Sequence, residues 1–196
     1  MLNQQRMYKK LGKQPSKGRK KYLPFVIDKR IILGGIIFIL VSFFINIFPI
    51  VFLILFSIAN TAILSFKRYF DAPVDPQLCT FASILMTMQY GLTYGLITAF
   101  LTRFVSMIYN KKIKIAYFFM ISSYMVAALF TEVINSDNVV LLGIIVTIIS
   151  NIYMVFIRKY VTQYSNFEVI SYALSDLIFN SVMFIGFSEI TLFFMI

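Results

Sequence analysis

At 196 residues, 60% of them apolar and only 13% charged, with a mean hydropathy of +0.84, the chain lies outside the range of soluble globular domains, where charged residues make up about 25%. One cysteine excludes an intrachain disulfide, and the absence of histidine removes the usual zinc sites and His-based catalytic dyads. The formal charge of +10 points to anionic lipid headgroups more than to nucleic acid, because 8 of the basic residues crowd between Arg6 and Lys21 in a polar head, where each is worth about 1 kcal/mol at an anionic leaflet.

Residues 1–30 read as a basic cytoplasmic tail, and residues 31–196 as one bundle with room for about six or seven helices of roughly 20 residues. No small-residue cleavage site follows the first apolar stretch, so the tail does not read as a cleavable signal peptide. From Ile31 to Phe66 the chain is apolar for 36 residues. One helix of that length would measure about 54 Å against a hydrocarbon core of about 30 Å. Asn46 and Pro49 mark the expected break, because proline removes a backbone donor and clashes with the preceding turn. This predicts helices from Ile31 to Phe48 and from Ile50 to Phe66, with a single bent, tilted helix as the competing reading.

Lys67 to Asp75 is a short polar link. Asp75-Pro76 looks like a helix start, with Asp75 as N-cap and Pro76 at the first helical position, where its missing N–H costs nothing. A helix from Pro76 to Gln89 spans about 20 Å, too short to cross a bilayer comfortably. Tyr90-Gly91 is expected to end it and a longer helix to run from Leu92 to Tyr109, the two forming a hairpin or a re-entrant element. Three further segments follow: Ile113 to Ile134, Asn138 to Ile157, and Glu168 to the C-terminus.

Basic residues set the polarity of these segments. Ten lie in the head up to Arg30, and the rest outside the apolar segments are Lys67 and Arg68, Lys111, Lys112 and Lys114, and Arg158 and Lys159. The link from Thr131 to Asn138 carries Glu132 and Asp137 and no basic residue. With seven segments and a cytoplasmic N-terminus, every basic cluster falls inside and the C-terminus outside, as the positive-inside bias requires. Six segments would push Lys67, Lys111 and their neighbours to the outer face.

Candidate functional residues are few. Gly91 and Gly95 form a GxxxG spacing, which suits close helix packing or a substrate-lining face. Arg103 lies about 9 Å from the cytoplasmic end of its helix, and Asp176 about 12 Å from the same side. A charge at such depth faces the bundle interior and seeks a partner, so a buried Arg103–Asp176 ion pair is expected; the alternative is that Arg103 snorkels to the headgroups. Tyr172, Asp176 and Asn180 recur at intervals of four and share one helix face, a polar stripe suited to a small polar ligand or to helix packing. Asn46, Asn60 and Asn151 read as interhelical hydrogen-bonding residues. No nucleophile with a base, no metal-ligand cluster and no phosphate loop is recognisable, so no catalytic residue, metal or cofactor is assigned.

The run Asp75-Pro76-Gln77-Leu78, the short apolar helix, Tyr90-Gly91, and Gly95 four residues on before a long apolar helix resemble the substrate-binding S components of energy-coupling-factor transporters. The rod-shape-determining MreD family is similar in the same region, and its Asn in the last helix would match Asn180. The first resemblance implies a small-molecule-binding subunit of an uptake transporter, and the second a scaffold or assembly subunit of a membrane complex. A membrane enzyme without a recognisable motif is the third class. Two departures from the S components stand out: the first helix offers Gly34, Gly35 and Ser42 in place of an Ala-x-x-x-Ala face, and seven segments replace six. The expectation is thus an all-α polytopic membrane bundle of six or seven segments with one short or re-entrant helix. It is expected to be non-enzymatic, with membrane lipids, partner subunits and a small-molecule ligand as its partners.

Overall fold

The computed structural model describes residues 47–66, 74–111, 113 and 115–195, which lie in the compact unit Asn46–Ile196. The basic tail and the expected helix from Ile31 lie outside the described residues, apart from Ile47 and Phe48, as does Asn46 at the expected break. Among the described residues every regular element is helical.

Helix α1, Phe48–Phe66, starts two residues before the expected position and carries Pro49 in its first turn, where a missing N–H leaves no helical bond unmade. It buries Phe52, Phe56, Ser57, Asn60 and Thr61, while Ile54, Leu55 and Ile58 face outward. An apolar outer face is the surface that lipid requires.

Helix α2 is Cys79–Tyr90 and α3 is Leu92–Tyr109, with Gly91 between them at φ 89° and ψ 169°. That backbone conformation is essentially reserved for glycine, so the break falls at Gly91 as expected. The two helices fold back on each other. A Cβ added to Gly95 would lie 1.8 Å from Thr87 Oγ1 and 3.1 Å from the Ser83 carbonyl, so Gly95 is where α3 presses on α2. The glycine pair is therefore not a ridge on one helix: Gly91 makes the turn, and Gly95 allows the close approach that follows.

The start of α2 differs from expectation. The helix begins at Cys79, with Leu78 in the N-cap position and no side-chain cap of its own; Asp75 and Pro76 precede it in irregular chain. Asp75 is drawn away into an ion pair described below, and the cap comes from another helix: the Leu78 N–H donates to Asn60 Oδ1 of α1 at 2.9 Å.

Helix α4, Ile115–Ile134, and α5, Val139–Phe156, follow, and α5 continues through a π-helical turn, Ile157–Val161. The Asn138 side chain caps α5 by accepting from the Leu141 N–H at 2.9 Å. Helix α6, Asn166–Met195, opens with a capping box: Glu168 accepts from the Ser165 N–H at 3.0 Å, and the Glu168 N–H donates to Ser165 Oγ at 3.3 Å. At 30 residues α6 is about 45 Å long, more than a bilayer core needs.

The consecutive helices from α3 to α6 run antiparallel, while α1 lies parallel to α3, Asn60 meeting Ser106 and Ser65 meeting Asn110. Arg103 meets Tyr117, the Ser123 hydroxyl donates to the Ser150 carbonyl at 3.2 Å, and Asn151 donates to the Ala173 carbonyl at 2.9 Å. One end of the bundle thus gathers Ser65, which donates to Asn110 at 3.3 Å, together with Lys111, Arg158 and Lys159. The other end gathers Tyr90, which donates to the Met195 carbonyl at 2.7 Å, together with Glu132 and Asp137. Five helices, all but α2, are long and apolar enough to cross a membrane, which fits a multi-pass integral membrane protein.

Short α2 is the axis of this assembly. Every residue from Cys79 to Thr87 is buried, and the helix packs against each of the other five. Phe81 centres the apolar contact, its ring 6.2 Å from Phe56 and 5.0 Å from Phe184. Two of its hydroxyls are satisfied within the helix: Ser83 donates to the Thr80 carbonyl at 3.0 Å and Thr87 to the Ser83 carbonyl at 2.7 Å.

Candidate functional site

Asp75, Gln77 and Leu78, in the irregular chain before α2, are buried, and buried backbone outside a helix must find partners, the more so at membrane depth where lipid offers none. Those partners come from distant helices: the Asp75 N–H donates to Ser175 Oγ of α6 at 3.0 Å, and Leu78 is held by Asn60 as above. Asn60 also donates to the Thr102 carbonyl at 3.2 Å and to Ser106 Oγ at 3.1 Å, tying α1, α2 and α3 together at this level. Asp75 and Gln77 are thereby set inside the bundle, where side chains from α3, α4, α5 and α6 converge on them.

Two arginines reach the centre, in contrasting surroundings. Arg158, in the π-turn and 1% exposed, donates from Nη2 to Asp75 Oδ2 at 2.8 Å, and its guanidinium lies 4.9 Å from the centre of the Tyr172 ring. Arg103 of α3, 5% exposed, meets neutral groups. Its Nη1 donates to Gln77 Oε1 at 3.4 Å, its Nη2 contacts the Met120 sulfur at 3.3 Å, and its guanidinium lies 4.7 Å from the Tyr117 ring centre. Arg103 Nε, Arg158 Nε and Arg158 Nη1 are buried without a hydrogen-bond partner.

Gln77 is the hub. Its Oε1 also accepts from the Tyr124 hydroxyl at 2.5 Å, while its Nε2 donates to Asp176 Oδ1 at 3.3 Å. Asp176 in turn accepts from Asn180 Nδ2 at 3.1 Å. Arg103 and Asp176, expected as a direct ion pair, thus belong to one cluster but have the Gln77 carboxamide between them. Among the described residues, the ion pair within 4 Å is Arg158–Asp75. Two loop residues explain both facts: Asp75 captures one arginine, and Gln77, two residues on, intercepts the other.

Tyr172, Asp176 and Asn180 face this centre from α6, Tyr172 against Arg158, Asp176 against Gln77 and Asn180 bonded to Asp176. Gly91 and Gly95 lie toward the other end of α2, remote from it in sequence and in level. Asn60 and Asn151 both make interhelical hydrogen bonds, as their isolation in apolar segments predicts. Sequence reasoning passed over Gln77, Tyr124 and Arg158. Arg158 carried a signal, since it sits at the last turn of an apolar helix with Asp75 as a charge complement on the same side. Gln77 and Tyr124 carried none, being ordinary residues in apolar surroundings.

Chemically the cluster holds two guanidiniums, two carboxyl groups, the carboxamides of Gln77 and Asn180, and the phenols of Tyr117, Tyr124 and Tyr172. It can bind polar and charged groups. Compared with family models, with curated proteins and with solved structures, the chain finds no match.

Proposed function

We propose that the chain is the small-molecule-binding subunit of an uptake transporter, the role that the resemblance to S components implies. The observation that supports this is the buried polar centre, and above all Arg103 and Asp176, opposite charges whose direct contacts are neutral groups. Ionisable side chains at membrane depth are costly and persist where they line a substrate or ion path. A purely structural bundle of apolar helices has no need of them. In this reading the end bearing Lys111, Arg158 and Lys159 faces the cytoplasm, the C-terminus lies outside, and the basic tail rests on anionic headgroups.

The test is purification of the full chain in mild detergent, followed by extraction and mass spectrometry of bound small molecules. A stoichiometric small molecule supports the proposal. Stable membrane-protein partners without such a molecule would replace it by the assembly-subunit reading that the MreD resemblance implies.

A further inference from the structure

Resting on that reading, we infer that the ligand is a small zwitterion of the α-amino acid class, its carboxylate on Arg103 and its ammonium on Asp176, seated where the Gln77 carboxamide lies. The two arginines of the centre are not equivalent. Arg158 touches the Asp75 carboxylate at 2.8 Å, whereas Arg103 feels that carboxylate only from beyond contact distance and touches an amide oxygen at 3.4 Å, a sulfur at 3.3 Å and an aromatic face. Asp176 likewise meets only amide groups, Gln77 at 3.3 Å and Asn180 at 3.1 Å. Each is at least nine-tenths buried, and Arg103 Nε has no partner.

The side chain between them has the polarity of the counter-charges that neither touches directly. Gln77 turns its acceptor to Arg103 and Tyr124 and its donor to Asp176. A free amino acid offers the same acceptor and donor with full charges, so both partners of each contact would be ionised where Gln77 leaves one neutral, and ion-paired contacts of this kind are shorter than the 3.3–3.4 Å seen here. Gln77 lies in irregular chain before α2, so moving its side chain breaks no helical bond. An anion alone would leave Asp176 unmatched, a cation alone would leave Arg103 unmatched, and only a zwitterion meets both. An apolar side chain would rest against the neighbouring cluster of Cys79, Ala99, Met120 and Met154, whose methionines repack readily.

The experiment uses the full chain in lipid nanodiscs and a scintillation-proximity assay with radiolabelled L-leucine, L-methionine and L-phenylalanine. One of these should bind saturably, and its binding should resist competition by the matching amine without a carboxylate or the matching acid without an amine. Arg103→Met and Asp176→Asn should each weaken binding roughly 10- to 100-fold, the worth of a charged hydrogen bond. Gln77→Ala should tighten it several-fold, an effect that a purely structural role for Gln77 would not give. Competition by the lone amine or the lone acid as strong as by the amino acid overturns the inference, and this arm needs no variant to fold. A co-purifying ligand of another charge type also overturns it, while leaving the binding-subunit reading in place. Absence of any bound small molecule overturns both.

Discussion

Asp75→Asn is the most informative single change. The substitution keeps the size and the polar shape of the side chain and removes its charge, leaving Arg158, 1% exposed, without the carboxylate it contacts at 2.8 Å. Removing one partner of a buried pair costs about 3–5 kcal/mol, most of it the penalty of an uncompensated buried charge. For a chain of this size about 2–4 °C of melting temperature accompanies each kcal/mol, so the expected loss is roughly 6–20 °C. The molecule carries its own reporter: Cys79 is the chain's one cysteine and is fully buried in α2, so alkylation by a thiol-reactive dye during heating records the opening of the core. The double variant Asp75→Leu with Arg158→Met replaces the pair by apolar groups and should recover most of the loss, as such replacements often are neutral. A melting temperature for Asp75→Asn within about 1 °C of the parent, or a double variant no better than the single, would refute the reasoning.

Further outcomes follow from particular contacts. Gly95→Ala should destabilise the hairpin by about 1–3 kcal/mol, because its methyl group would meet Thr87 Oγ1 at 1.8 Å, and Thr87→Ala should restore part of that; the same alkylation assay decides. Asn60→Leu should cost a similar amount, about 1–3 kcal/mol, by orphaning the buried Leu78 N–H; no change in hydrogen exchange at that amide would contradict the capping role. In a Cys79→Ser background, an impermeant thiol reagent applied outside cells should label Ser136→Cys and leave Lys111→Cys unmodified. Labelling of the second and not the first would reverse the proposed orientation.

Much of the helical plan was legible because membrane-spanning helices are specified locally. In a bilayer the backbone must close its hydrogen bonds within each segment, so apolar length and breaks in it are nearly sufficient. Leu92 to Tyr109 is found as read, and the turn at Gly91 follows from a backbone conformation that only glycine adopts freely. The ends of α4, α5 and α6 fall within two residues of the expected positions. The grouping of Lys111, Arg158 and Lys159 at one end of the bundle was equally visible, because that property needs only the order of segments.

Partnership was decided by the tertiary structure. Depth along a helix can be counted from sequence, and it matched Arg103 with Asp176, which both meet Gln77. It could not say what lies between them, because that depends on how far the residues before α2 enter the bundle. Asp75 looked like a helix cap by local rules, yet the long-range attraction of a buried arginine outweighs a cap worth about 1 kcal/mol, and Asn60 of α1 takes over the capping. Gln77 is the clearest case: an uncharged residue with no periodic or motif signal becomes the hub of the centre, because folding places an acceptor and a donor between two charges that the sequence sets 73 positions apart.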